Sequence, residues 1–186
     1  MIFREVEDRD LITRTRQGDV ESYNLLVSRW EKRVFNYLLR LVAHREDAMD
    51  VSQEVFLKAY QNLAKLDDPE RFAPWLFRIA HNEACSLLRR RRPEGEMPAE
   101  LASAARWQPL ELSLAVDHAL QTLNEDQRAV VLLKIYQGFK FEEMAEILEC
   151  PLSTVKSRLY TALDLLKTQL APVVMEGSAV RRAGAK

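Results

Sequence analysis

The chain is poor in the residues on which metal-bound and disulfide-stapled proteins are built. It has two cysteines, Cys85 and Cys150, each alone in its neighbourhood, and three scattered histidines, His44, His81 and His118. A disulfide framework or a zinc site needs cysteines or histidines in closely spaced sets, so neither organises this fold and no metal is expected. Each thiol is expected to stay reduced and to pack as a small apolar group. Glycine is scarce too, at 5 residues. There is no glycine-rich phosphate loop and no nucleophile elbow, so no cofactor is expected and the chain does not read as an enzyme. No apolar run approaches the roughly 20 residues that span a bilayer. The opening MIFREVEDRD turns charged at once and lacks a signal-peptide core. The expectation is a cytoplasmic protein without direct membrane insertion.

What the chain does have is helical spacing. Apolar residues make up 47% and charged residues 30% of 186 positions, enough for a real core and one large or two small domains. The fold class expected is all-α. Net charge is −1, a poor endowment for binding phosphates unaided, because that affinity rests on Lys and Arg displacing counterions. The charges are clustered, however. Arg89, Arg90, Arg91 and Arg92 form one block, and acids gather at 46–54 and 94–100. Such a chain suits local DNA contact within a larger assembly.

Residues 8–92 read as a first helical domain. Tyr23, Leu26, Val27, Trp30, Val34, Tyr37, Leu38 and Leu41 keep helical spacing for more than five turns. A second helix is predicted over 47–63, with Ala48, Val51, Val55, Ala59 and Leu63 facing inward. Pro69 ends that pattern, and a third helix is predicted over 74–91. Residues 93–110 carry three prolines, one glycine and no sustained period, so they read as a flexible linker with Trp107 as a single anchor. A second domain follows over 111–170, opening on Leu112, Ala115, Val116, Ala119 and Leu120. In it, Asn124 and Gln127 have capping-box spacing. Residues 171–186 lack an amphipathic stripe and are expected to be disordered.

Near the end of the second domain, Phe141, Met144, Ala145 and Leu148 form one apolar face, and Glu149-Cys150-Pro151 breaks it. Ser153 is a candidate N-cap for the next helix, with Val155, Leu159, Ala162, Leu163 and Leu166 inward. Two readings fit this local pattern about equally. One is a plain helical hairpin. The other is a helix-turn-helix whose second helix carries Ser153, Thr154, Lys156, Ser157 and Arg158 into a DNA major groove.

The rest of the chain weighs for DNA. GDVESYNLLVSRW at 18–30, EDAMDVSQEVFLKAYQNL at 46–63, RFAPWLFRIAHNEACSLLRRRR at 71–92 and the segment 141–167 follow in order. In this the chain resembles the extracytoplasmic-function (ECF) sigma factors, of the sigma-E-like kind, from Asp10 to Leu170. The resemblance implies an alternative sigma factor, with region 2 binding core RNA polymerase and the promoter −10 element. It implies a region 4 binding the polymerase β flap and the −35 element, and commonly an anti-sigma factor as a further partner.

Each candidate site has its own physical reading. Asp50, Gln53, Glu54 and Leu57 share one face of the second helix, opposite its core stripe. A leucine ringed by polar groups marks an interface, and the resemblance puts an arginine-bearing coiled coil of polymerase β′ there. Phe72, Trp75, Phe77, Arg78, His81 and Asn82 offer aromatic surface and a base-edge donor–acceptor pair, with Trp75, Leu76 and Ile79 expected mostly in the core. The resemblance places a flipped −10 base near the loop 66–71 and Asn82, with Arg78, Arg89 and Arg90 on phosphates. Ser153, Thr154, Lys156, Ser157 and Arg158 are the −35 candidates. The chain departs from the family at Thr161-Ala162-Leu163, where a small cationic cluster is usual, at Lys140 and at Asn124. Glu94, Glu96 and Glu100 of the linker serve as a soluble tether or as a mimic of a polyanion in the polymerase RNA channel. Two rival classes are a stand-alone helix-turn-helix regulator and a protein-only adaptor. The acidic face speaks against the first and the aromatic–Arg–Asn helix against the second.

Overall fold

The computed structural model describes residues 6–91 and 111–183, the side chains of 111–114 and 172–183 excepted. Arg92 and the linker with Glu94, Glu96, Glu100 and Trp107 lie outside the described residues. Those described form helices α1 (Asp8–Arg16), α2 (Val20–Val42), α3 (Arg45–Asn62), α4 (Phe72–Arg91), α5 (Glu111–Thr122), α6 (Glu125–Val131), α7 (Phe141–Ile147) and α8 (Leu152–Ala183). No strand occurs among them. None of their helices is long and apolar enough to cross a membrane.

The first region packs α1, α3 and α4 around α2. Gly18, at φ 96°, turns the chain out of α1, and the Asp19 carboxylate then caps α2 by accepting from Glu21 and Ser22 N–H. The stripes expected on α2 and α3 are buried, with Val27 partly so. The short α1, which periodicity did not single out, adds Leu11 and Ile12 to the core. α3 ends in a 3-10 turn at Leu63–Lys65, and a second such turn, Pro69–Arg71, leads into α4. Arg16 secures the loop between them by donating to the carbonyls of Leu63 and Leu66.

In the second region Asn124 and Gln127 form the capping box their spacing suggested: Gln127 N–H donates to Asn124 Oδ1 at 2.9 Å, and Asn124 N–H to Gln127 Oε1 at 3.3 Å. Asn124→Ala should therefore cost about 1 kcal/mol of stability, the usual worth of such a cap. A shifted denaturation midpoint at unchanged slope would measure it. α6 runs into a π-turn at Leu132–Tyr136, closed by Gly138 at φ 77°.

Three expectations need correction. α8 begins at Leu152, because the Pro151 carbonyl already accepts from Thr154 and Val155 N–H. Ser153 is thus inside the first turn and not the cap. Leu163 is exposed instead of facing inward. Finally, the backbone of α8 is helical to Ala183, where disorder was expected. Extending a helix that is already nucleated adds one hydrogen bond for each residue fixed except Pro172, which has no N–H, so it needs no amphipathic stripe.

The two regions share one core. Buried residues from α1–α4 and from α5–α8 belong to a single continuous cluster, and Phe77 of α4 meets Phe139 edge-on, centroids 5.1 Å apart. α7 lies along α4, and α2 touches α6 and the π-turn.

Candidate nucleic-acid and polymerase interfaces

Three surfaces carry the candidate residues. The first is the outer face of α3. Asp50, Gln53, Glu54 and Leu57 are all exposed there, Leu57 to 51%. Met49 and Tyr60 are exposed on the same helix. Glu54 is bridged in part by Lys58 at 3.4 Å, and Lys58 also reaches Glu83 of α4 at 2.7 Å. The result is an acidic rim around an unpartnered leucine.

The second surface is α4. Arg78, Asn82 and Arg89 follow at spacings of 4 and 7, so they share a face, and all three are exposed. Arg90 is exposed beside them. Arg89 and Arg90 each donate Nε to the carbonyl four residues back, Cys85 and Ser86, which seals the helix end while leaving charge outward. Arg91 is spent differently, on an ion pair with Asp47 of α3 that ties the two helices together.

Three residues expected on this surface, Phe72, Phe77 and His81, are in the core, Phe77 at 0% exposure. Phe72 is 3% exposed and packs against Trp30 and Trp75, both at 6.0 Å between centroids. His81 is 8% exposed and within hydrogen-bond distance of Tyr37 Oη at 3.0 Å. Burial pushes the His81 imidazole down to about 4, so it is neutral at physiological pH and adds no charge to a DNA surface. These side chains support the α4 face from behind. Trp75 is half-buried. Cys85 lies against His81, Sγ to Nε2 at 3.5 Å, and burial raises its thiol to about 11, the state of a packing thiol and not a reactive one.

The third surface is the start of α8. The turn from α7 ends with Cys150 N–H donating to the Ala145 carbonyl at 3.1 Å, and Glu149 takes the left-handed conformation at φ 49° where glycine is usual. Lys140 has no acceptor with which to cap α7. The Glu143 carboxylate accepts the Lys140 N–H at 2.7 Å in its place. Ser153, Lys156 and Ser157 are exposed and Thr154 is half-buried. Arg158 is partly covered, with Nη2 2.6 Å from Asp126 of α6 and Nη1 3.8 Å from Cys150 Sγ. The buried stripe behind them is Val155, Leu159 and Ala162, against Met144 and Ile147 of α7.

Two positioning residues escaped the sequence reading. Arg16 is one, donating to the carbonyls of Leu63 and Leu66 after α3. Arg128, only 7% exposed, donates to the carbonyls of Leu120, Gln121 and Leu123 at the end of α5 and to Leu41 at the end of α2. Neither has a local signal, since its acceptors come from other elements.

An acidic rim around an exposed leucine, a cationic helix end and a pair of helices joined at Pro151 lie on two joined regions. Comparison with known proteins agrees region by region: residues 26–94 match the Sigma-70 region 2 family and residues 113–166 the Sigma-70 region 4 family. The class is therefore that of two-region sigma factors. The chain is 30% identical to the RNA polymerase sigma-H factor of Pseudomonas aeruginosa, over 91% of its own length and 97% of that protein's. It is 32% identical to the ECF RNA polymerase sigma-E factor of Escherichia coli K12, with the same coverage. Among solved structures it resembles CnrH in complex with the cytosolic domain of CnrY, with a TM-score of 0.69 and 27% identity over 89% of this chain and 97% of that one. It also resembles the sigma factor RpoE of Bartonella quintana in complex with the anti-sigma factor NepR, with a TM-score of 0.70 and 25% identity over 81% and 98%. The chain belongs to the extracytoplasmic-function sigma factors. It is an alternative sigma factor: it binds core RNA polymerase and directs it to promoters through their −35 and −10 elements.

Proposed function

We propose that the work is divided among the three surfaces. In the region spanning about 8–92, Asp50, Gln53, Glu54 and Leu57 dock on the arginine-bearing β′ coiled coil of polymerase. Carboxylates pair bidentately with arginine, and the leucine fills the apolar centre of the contact. Asn82 reads a base of the opened −10 strand by its paired donor and acceptor, with Trp75 beside it and Arg78, Arg89 and Arg90 on the phosphates. In the region spanning about 111–170, Ser153, Thr154, Lys156, Ser157 and Arg158 meet the −35 duplex, and the region as a whole meets the β flap. Arg158 supplies the base contact, while the hydroxyls and Lys156 hold phosphates. The chain performs no chemistry of its own. An anti-sigma factor is a further partner of the chain, as NepR is of the structurally similar sigma factor RpoE.

The observation that carries this reading is the exposure of Leu57 within a ring of acid and amide on a helix whose other side is fully committed to the core. Replacing Gln53 and Glu54 together with alanine should weaken core polymerase binding by about ten-fold or more, since hydrogen bonds to charged groups are worth roughly 1.5–3 kcal/mol. Helical content should not change, because neither side chain is in the core. Unaltered affinity in a competition assay for core would remove the assignment.

A further inference from the structure

Among its cations α4 carries a single acid. From Phe72 to Arg91 the only carboxylate is that of Glu83. It follows Asn82 directly and stands two turns before Arg90, with which it shares a face. Charges closer than about 8 Å are little screened at physiological salt, so a bare carboxylate there would repel the phosphates given to Arg90. The helix itself offers no remedy. Its positions that neighbour Glu83 across a turn are Ile79, Ala80, Ser86 and Leu87, none of them cationic.

The counter-charge comes from another helix. Lys58 of α3 places Nζ 2.7 Å from Glu83 Oε1, and only 20% of the Glu83 side chain is exposed. Among the described residues no other cation pairs with Glu83. The same ammonium stands 3.4 Å from Glu54 of the polymerase face, whose side chain is 47% exposed. Glu83 is the nearer and the more buried of the two, so it has the stronger hold on Lys58. Its hydrogen bond is also the main cause that raises the Lys58 pKa above the ordinary lysine value and keeps the ammonium charged. Lys58 therefore spans the seam where α3 packs on α4 and draws the Glu83 carboxylate back against α3.

We propose that Lys58 is a positioning residue for −10 reading: it neutralises the one carboxylate of α4 and holds it against α3, so that the strand meeting Asn82, Arg78 and Arg90 finds no free negative charge on that helix. The proposal rests on the assignment of α4 to the opened −10 strand. Lys58 itself is not given a contact to DNA, because its ammonium is committed to Glu83 and Glu54.

The test uses holoenzyme assembled with the full-length chain. It is titrated with a labelled single strand selected from a pool randomised over the −10 positions. Lys58→Met keeps the aliphatic stem and removes the charge. Strand binding should weaken about two- to five-fold at low salt, the range of a partly exposed charge pair. The deficit should shrink as salt is raised. Glu83→Gln alone should bind no more weakly than the wild type, and Lys58→Met combined with Glu83→Gln should recover the affinity of Glu83→Gln. That rescue decides the matter, since damage to packing between α3 and α4 would not be repaired by removing a second charge. A double variant as weak as Lys58→Met would overturn the proposal and put Lys58 on a phosphate. A changed base selection in Glu83→Gln would overturn it too, because Glu83 would then be a reader, as a carboxylate can be of cytosine. Asn82→Ala run in the same assay tests the underlying assignment separately. If its base selection is unchanged while the rescue holds, the role given to Asn82 falls and that of Lys58 stands.

Discussion

Arg128→Met is expected to be the most damaging single substitution in the described part of the chain. Methionine keeps the length and most of the apolar volume but donates nothing. Four carbonyls, those of Leu41, Leu120, Gln121 and Leu123, lose their guanidinium donor at once. They lie at the ends of two helices, where intrahelical donors run out, although the Leu120 carbonyl also accepts the Leu123 N–H at 3.3 Å. A buried acceptor stranded without a donor costs about 1–3 kcal/mol, so a total loss of about 3 kcal/mol or more is expected even if water reaches some of them. For a chain of this size that corresponds to a fall in Tm of roughly 6–12 °C. Burial lowers the Arg128 pKa, yet a guanidinium starts so high that it stays charged. The charge interacts favourably with both helix C-termini. Arg128→Lys should recover only part of the loss, because an ammonium is a point charge and cannot reach four acceptors in two directions. Circular dichroism melts of the three proteins decide the matter, and a Met variant within 0.5 kcal/mol of wild type, about the scatter of a neutral surface change, would mean the carbonyls find other partners.

The second large effect separates the two DNA elements. Asn82→Ala should change base preference at −10 and slow open-complex formation while leaving −35 preference alone. Arg158→Ala should weaken closed-complex binding by about 1–3 kcal/mol if its contact to a base is bidentate. Arg158 is held by Asp126, and that pair must part before the guanidinium can turn to a base. A half-exposed ion pair is worth little, at most about 1 kcal/mol, so the contact to DNA still prevails. A template with a pre-melted −10 bubble discriminates further. It restores activity to a variant that fails only in strand opening, but it does not restore base preference if Asn82 reads the base itself. Wild-type −10 preference in Asn82→Ala on both templates would return Asn82 to an ordinary exposed position.

Much of the framework was legible because it is local. Helical spacing on α2 and α3 named their buried stripes, and the same spacing put Asp50, Gln53, Glu54 and Leu57 on the opposite side, where they are exposed. Asn124 and Gln127 announced a cap that needs only three residues of separation. Pro151 announced the break before α8 but not the first residue of the helix, because Ser153 and the Pro151 carbonyl compete for the same starting turn. Aromatic residues on α4 were harder. A phenylalanine or histidine serves equally as core or as base-stacking surface, and only the approach of Trp30 and Tyr37 from α2 settles Phe72 and His81 as buried.

The sequence by itself determined an all-helical chain with two regions, a polar face on α3, a cationic end on α4 and two helices broken at Pro151 near the end. These follow from periods of three to four residues and from the backbone limits of proline, both of which act within a turn or two. Tertiary structure alone decided which arginines are structural and which are free. Arg16, Arg91 and Arg128 are consumed by carbonyls and a carboxylate brought from other helices, while Arg78, Arg89 and Arg90 keep their charge at the surface. It also decided that the two regions close on each other through α2 and α4. An arginine carries the same five donors wherever it stands in the chain, and what it does depends on the acceptors that folding brings within about 3 Å of it.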